Sequence, residues 1–211
     1  MTRRLPATPK TYQLAFEILK SGGLVALPTE TVYGLAASAA DKKAVERLYH
    51  VKDRSNDKPL ALCVDSFETA QKYAHLSGLG LKLAKAFWPG PLSLVLDAQT
   101  TRPLSPNLYG LGDDGQATIS LRWPDTEWIK FLPDLPLALT SANVSGQSDP
   151  RNGDDVYHYL SGKIELIIDE TTPLSSGQAS TIISISGKRA KLLRRGALSH
   201  GDFAKFDIDW A

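Results

Sequence analysis

Apolar residues along this chain fall into two patterns, short unbroken runs and longer stretches spaced every three or four positions. The first kind suits strands covered on both faces, and the second suits amphipathic helices. Residues 12–20 carry Leu14, Ala15, Ile18 and Leu19 at helical spacing, and Gly22 with Gly23 supplies a C-terminal stop. Leu24, Val25, Ala26 and Leu27 then form an unbroken run that ends at Pro28, which has no N–H to give a ladder. Thr29, Glu30 and Thr31 therefore fall at the end of a buried strand, where ligands sit in open α/β sheets. Read alone, the stretch also suits a strand leading into a polar turn.

The alternation continues down the chain. A small-residue run at 36–40 leads to Asp41, an N-cap for a helix with Ala44, Val45, Leu48 and Val51 on its apolar face. That helix empties into a charged loop at 52–59. Strands are expected at 60–64 and 92–96, with helices over 66–73 and 79–87, the second halted by W-P-G-P at 88–91. Residues 117–122 alternate as a strand closed by Pro124, 126–132 suit a short helix, and 137–139 form a strand running into T-S-A-N-V-S-G at 140–146. Further on, 154–160 read as helix, 164–168 as strand, and 180–186 with 190–194 as a hairpin joined by Gly187 and Lys188. Two loops stand out, 100–116 and 171–179, the first longer than most inside a compact domain. No repeat or low-complexity linker interrupts the pattern. It predicts one α/β domain over 1–211 with a mixed sheet, a core at about 10–196 and a short C-terminal tail at 197–211.

Composition narrows the partners without naming one. With 211 residues, 42% hydrophobic and 22% charged, the chain can bury a full core. The formal charge is +1, so the overall balance recommends neither nucleic acid nor membrane, and any basic site must be local. The single cysteine, Cys63, excludes an internal disulfide and a cysteine-cluster zinc site, which suits a reducing compartment. No apolar run approaches the ~20 residues of a membrane span. The start, M-T-R-R-L-P, has no apolar stretch behind its arginines, so a cytoplasmic location is expected.

Polar residues gather where the strands end. Lys52, Arg54 and Lys58 share one loop, and three cations there can converge on an anion, although such loops also serve as plain solvated surface. Ser141, Ala142 and Asn143 are small or polar, which lets a ligand approach backbone N–H groups. Arg122 ends a strand with a guanidinium able to fork onto a carboxylate or phosphate. Ser180 with Thr181, and Arg194 with Arg195, add hydroxyls and cations at further strand ends. A G-x-x-x-x-G-K-[ST] loop, a G-x-S-x-G elbow and an H-E-x-x-H helix are all missing, and the four histidines lie away from these strand ends. Hydroxyls, amides, cations and one carboxylate suit a transfer at phosphorus, where an enzyme positions reactants and stabilises charge.

Six segments in order resemble the threonylcarbamoyl-AMP synthase family, also called YrdC-like. They are P-T-E-T-V-Y-G-L at 28–35, K-D-R at 52–54, W-P-G-P-L at 88–92, S-A-N-V-S-G at 141–146, S-T-I-I at 180–183 and L-R-R-G at 193–196. The match covers 24–196 and resembles the short, single-domain form. It implies a YrdC-like α/β domain whose twisted mixed sheet, with flanking helices, holds a large concave cleft. It implies a nucleotidyltransferase that joins L-threonine, bicarbonate and ATP into threonylcarbamoyl-adenylate and pyrophosphate, ahead of the machinery that carries the product to tRNA. By match of motif, Thr31, Arg122, Ser180 and the position of Cys63 serve threonine, with Arg122 on its carboxylate. Arg54, Lys58, Thr118, Ser141, Asn143 and Arg194 face ATP, with Lys52 and Arg54 as the catalytic pair on the phosphates. Mg²⁺ is expected to ride on the ATP phosphates, with no metal site in the protein.

This chain departs from the family pattern at three positions, with Ser55 for the usual Pro, Lys58 for Asn and Cys63 for a His near threonine. Two other readings stay open. An RNA-binding or ribosome-associated factor of the same fold would bind without ATP and weaken steeply with salt. A related carbamoyl-adenylating domain would take a different amine.

Overall fold

Val25, Ala26 and Leu27 are fully buried on both faces of the sheet, as the unbroken apolar run requires. The computed structural model describes residues 1–99, 103–170, 177–187 and 189–209. Its elements run β1 (Arg3–Pro6), α1 (Pro9–Lys20), β2 (Val25–Leu27), β3 (Gly34–Ser38), α2 (Lys42–Val51), β4 (Ala61–Cys63), α3 (Phe67–Gln71) and α4 (Gly78–Phe87). There follow β5 (Leu92–Asp97), β6 (Tyr109–Leu111), β7 (Ala117–Arg122), β8 (Leu137–Ser141), α5 (Gly153–Leu160), β9 (Leu166–Asp169), β10 (Thr181–Ser186) and β11 (Arg189–Arg194). Short 3₁₀ turns sit at Pro106–Leu108, Glu127–Phe131 and His200–Phe203.

All the described strands join one mixed sheet in the order β1-β9-β2-β3-β8-β4-β7-β5-β10-β11, with β6 alongside β7. Alternation along each strand sorts the side chains between two faces. One face carries Leu24, Ala26, Leu35, Ala37, Leu62, Leu94, Leu121, Ala138, Ile167 and Ile183, packed with residues of α2, α4 and α5 into the larger core. The other face carries Val25, Leu27, Ala36, Cys63, Leu137, Leu139, Leu166 and Ile168, covered by Tyr12, Ala15, Phe16 and Leu19 of α1 and by Trp128. That cover stops partway along the sheet. Beyond it, the same face of β5 and β7 carries Ser93, Ser120 and Arg122 and opens into a recess.

Several boundaries differ from the sequence expectation, each for a local reason. Helix α1 starts at Pro9 because the Thr8 and Thr11 hydroxyls cap its first turn reciprocally. Strand β3 was hidden in a run of small residues without β-branched character. It is needed small, since a Cβ on Gly34 would meet Leu139 Cδ1 of β8 at 2.8 Å. Edge strand β1 reads as polar sequence yet pairs in parallel with β9, and Arg4 joins Asp169 at 2.8 Å. Within 100–116 the described part is ordered into the Pro106–Leu108 turn and β6, and residues 100–102 lie outside the described residues. The loop at 171–179 is described only from Gly177, and Lys188 of the hairpin is likewise not described. The segment expected as a tail docks instead, with Phe203 and Ile208 buried and Phe87 against Phe203 at 4.8 Å between ring centres. No helix among the described residues is long and apolar enough to cross a membrane.

Candidate active site

Each polar strand end reaches the cleft because a neighbouring element fixes it. Pro28 ends β2, and Trp128 Nε1 donates to the Pro28 carbonyl at 2.7 Å, which anchors the turn that follows. Within that turn the Thr29 and Thr31 hydroxyls are 2.8 Å apart, and Thr29 Oγ1 donates to the Val32 carbonyl at 2.7 Å. Asp53 adopts φ 49° after α2, turning the chain so that Arg54 faces inward while its Nε and Nη2 donate to the Lys58 and Pro59 carbonyls at 3.1 Å. At the far side Gly196 permits a close approach. A Cβ there would lie 2.4 Å from Ala179 O and from the Ser180 carbonyl carbon, so only glycine lets the end of β11 close on β10. Arg194 is thereby brought onto Ser180, donating to its carbonyl at 2.7 Å and to its hydroxyl at 3.1 Å.

The result is one recess whose walls include Arg54, Ser93, Ser120, Arg122, Ser141, Ser180 and Arg194, about 130 Å³ in volume. A wider basin of about 720 Å³, bordered by Asp149, Arg151, Tyr159 and Arg195, shares Ala179 and Arg194 with it. Ser93 and Ser180 hydroxyls lie 2.9 Å apart on the floor. Arg122 is 7% exposed, and its Nη2 donates to Glu30 Oε1 at 2.8 Å and to Thr31 Oγ1 at 2.6 Å. Its guanidinium is therefore not wholly free, a correction to the strand-end expectation, because the P-T-E-T turn brings an internal carboxylate to it. Its buried Nε nevertheless has no hydrogen-bond partner among the described residues.

Five of the expected site residues, Arg54, Arg122, Ser141, Ser180 and Arg194, thus share one recess. The others stand behind or beside it. Thr31 is fully buried and reaches the recess only through Arg122. Asn143 is 6% exposed, accepts from Ser141 Oγ at 2.6 Å and donates to the Gln147 carbonyl at 2.7 Å. Thr118 lies two residues along β7, with its hydroxyl against Gly110 of β6. Lys58 is exposed, and what it offers is a carbonyl that accepts from Arg54 and from Tyr49 Oη at 2.8 Å. Cys63 is 2% exposed in the apolar half of the face, where burial pushes its thiol pKa up. Lys52, expected on a charged surface loop, is 1% exposed. Its Nζ donates to the Ser141 and Asn143 carbonyls and to Asn143 Oδ1.

Ser93 and Ser120 were missed by the sequence reading. Their signal was present as a lone Ser in L-S-L-V-L and as the middle of three alternating polar residues in A-T-I-S-L-R. Glu30 was noted as the carboxylate of its turn, but nothing in the sequence tied it to Arg122, 92 residues away.

The charges in and behind the recess strain against one another. Burial lowers the Arg194 pKa, and the positive charges of Arg122 and Arg54 push it the same way while Asp149 opposes. Burial and the charge of Arg54 pull Lys52 down to about 7. Cations held this close repel until an anion arrives, so the field favours a negatively charged ligand. Among the described residues no group of three His, Cys, Asp or Glu side chains could hold a metal ion.

With this geometry in view, comparison with known proteins places the chain. The Sua5_yciO_yrdC family model, described as telomere recombination, matches residues 17–196. A threonylcarbamoyl-AMP synthase of Pyrococcus abyssi is 40% identical over 192 residues, covering 88% of this chain and 54% of that protein. A putative threonylcarbamoyl-AMP synthase of Methanocaldococcus jannaschii is 34% identical over 182 residues, covering 86% of this chain and 83% of that protein. The crystal structure of Pyrococcus abyssi Sua5 complexed with L-threonine superposes with a TM-score of 0.83 at 34% identity, over 99% of this chain and 62% of that one. The chain thus spans about half the length of the first relative and most of the second. On the family match and these identities, the chain belongs to the Sua5/YciO/YrdC family, whose members include proteins named threonylcarbamoyl-AMP synthase.

Proposed function

We propose that this protein is an L-threonylcarbamoyladenylate synthase, a nucleotidyltransferase acting on L-threonine, bicarbonate and ATP. The observation that carries the reading is the convergence of Arg54, Arg122 and Arg194 with the hydroxyls of Ser93, Ser141 and Ser180 on one recess. The names of its relatives and the threonine complex of the Pyrococcus abyssi protein agree with it.

In this reading the narrow recess takes threonine, with its carboxylate on Arg122, and the wider basin takes the nucleotide. The amine of threonine adds to bicarbonate and water leaves, giving a carbamate. A carbamate oxygen then bonds to the α-phosphorus of ATP as the bond to the pyrophosphate oxygen breaks. Arg54 and Arg194 stabilise the charge on the transferring group, and the hydroxyls of Ser141 and Ser180 orient it. The wall offers cations and hydroxyls rather than a carboxylate set, so a Mg²⁺ ion fits only as a companion of the nucleotide. There it would offset phosphate charge, held by the phosphates themselves. Transfer of the product to tRNA falls to other proteins, and the site of action is the cytoplasm.

The test is pyrophosphate release by the purified protein given ATP, bicarbonate and threonine. It should require threonine, and release that ignores threonine would reject the reading. Serine and other amino acids in the same assay separate it from a synthase for another amine. Arg122→Ala should raise the KM for threonine much more than that for ATP.

A further inference from the structure

We propose that Lys52 is a positioning residue whose buried ammonium holds the 141–145 turn in shape, and that it does not bind the phosphates. The proposal refines the site of the proposed function, but its structural half stands on the ligand-free protein alone.

Three observations carry it. First, Lys52 is 1% exposed and absent from the walls of the recess, while Arg54, two residues on, lines it. Second, its Nζ has three acceptors, the Ser141 carbonyl, the Asn143 carbonyl at 2.6 Å and Asn143 Oδ1 at 3.2 Å. The charged form has three N–H donors and the neutral amine two, so against three acceptors neither form has one left for a ligand. Third, the same residue ties the turn a second time through its backbone, since Ser145 N donates to the Lys52 carbonyl at 2.8 Å. Lys52 thus fastens the end of α2 to the turn after β8 by side chain and main chain together.

The consequence for the site is specific. Asn143 Oδ1, held by Lys52, also accepts from Ser141 Oγ, and Ser141 lines the recess. A chain of contacts therefore runs from the ammonium through the amide to a hydroxyl that can meet ligand. Lysine is required over arginine. A compact ammonium points three hydrogens at acceptors clustered around one atom, whereas a planar guanidinium fork would need a longer, flatter slot.

The experiment uses Lys52→Met, Lys52→Arg, Ser141→Ala and the double variant Lys52→Met/Ser141→Ala in the full chain. Amide hydrogen exchange of residues 142–147 is followed without ligand, and ATP binding is measured by calorimetry alongside kcat and KM. In the ligand-free protein Lys52→Met and Lys52→Arg should both speed exchange across 142–147 by ~10-fold or more, as loss of a charged hydrogen bond implies. ATP affinity should fall in both. Adding Ser141→Ala to Lys52→Met should change affinity by less than ~2-fold, because the two act through one chain of contacts. A phosphate ligand gives the opposite set. Exchange would be unchanged without ligand, Lys52→Arg would keep or strengthen ATP binding through its bidentate fork, and the Ser141→Ala effect would add in full; that outcome overturns the proposal. If Lys52→Met fails to fold, Lys52→Arg alone decides, through the same two readouts. Should the native protein not bind ATP at all, the proposed function fails while the exchange measurement still decides the role of Lys52.

Discussion

The same face of the sheet behaves in opposite ways over its two halves. Under α1 and Trp128, positions such as Val25, Leu27, Ala36, Leu137 and Leu166 are apolar and dry. Across β5 and β7, positions with the same orientation become Ser93, Ser120 and Arg122, joined by Ser180 just before β10, and these line the recess. Cys63 and Arg122 mark the border, being register partners on adjacent strands with one in the apolar half and the other in the recess. The covered half gains stability from burial, whereas the open half leaves a ligand to meet its converging charges. Trp128 links the two, since it fills the covered half and donates a hydrogen bond to the carbonyl of Pro28, where the polar turn begins.

This contrast can be broken from either side. The largest effect is expected from Trp128→Ala, which empties a fully buried position and orphans the Pro28 carbonyl, costing ~3–5 kcal/mol in denaturant unfolding. Arg194→Gln should do the reverse. Turnover should fall ~10²-fold, the scale of other preorganised electrostatic contacts. Its melting temperature should stay close to that of the native protein, because a cation crowded by Arg122 and Arg54 is removed. A drop in stability matching that of Trp128→Ala would show that the open half is structural too.

Two smaller changes sharpen the border. Gly196→Ala should lose about 1–3 kcal/mol, because the added methyl meets backbone at 2.4 Å, and it should also impair ligand binding by lifting Arg194 from Ser180. Urea titration and binding measured on the same variant check both. Cys63→Ala should cost only about 1 kcal/mol, the loss of one small buried group, with activity retained. Consistent with its burial and raised pKa, the native thiol should resist iodoacetamide until the protein unfolds. Rapid labelling of the native protein would move Cys63 from the dry half into the recess.

Much of the architecture was legible because periodicity reports burial. The runs at 24–27, 92–96 and 117–122 became strands within a residue or so of their expected bounds, and Asp41 caps α2 through Lys43 N and Ala44 N. Strands β1, β3 and β6 escaped because polar, small or very short segments carry little periodic signal, and partners across the sheet made them strands. For the site, motif order brought Arg54, Arg122, Ser141, Ser180 and Arg194 to notice together, and all five line the recess. Lys52 and Lys58 read alike in the sequence as loop cations, yet one is buried and the other exposed. Charge alone does not tell which way a side chain turns.

By itself, then, the sequence determined which segments are buried and which polar residues end them, since a chain in water must hide its apolar runs whatever surrounds them. Tertiary structure decided everything that depends on partners distant in the chain. It set Glu30 against Arg122, seated the ammonium of Lys52 among the carbonyls after β8, and let Gly196 bring Arg194 onto Ser180. Such pairings are matters of distance and direction, and a linear pattern holds neither until the sheet has been assembled.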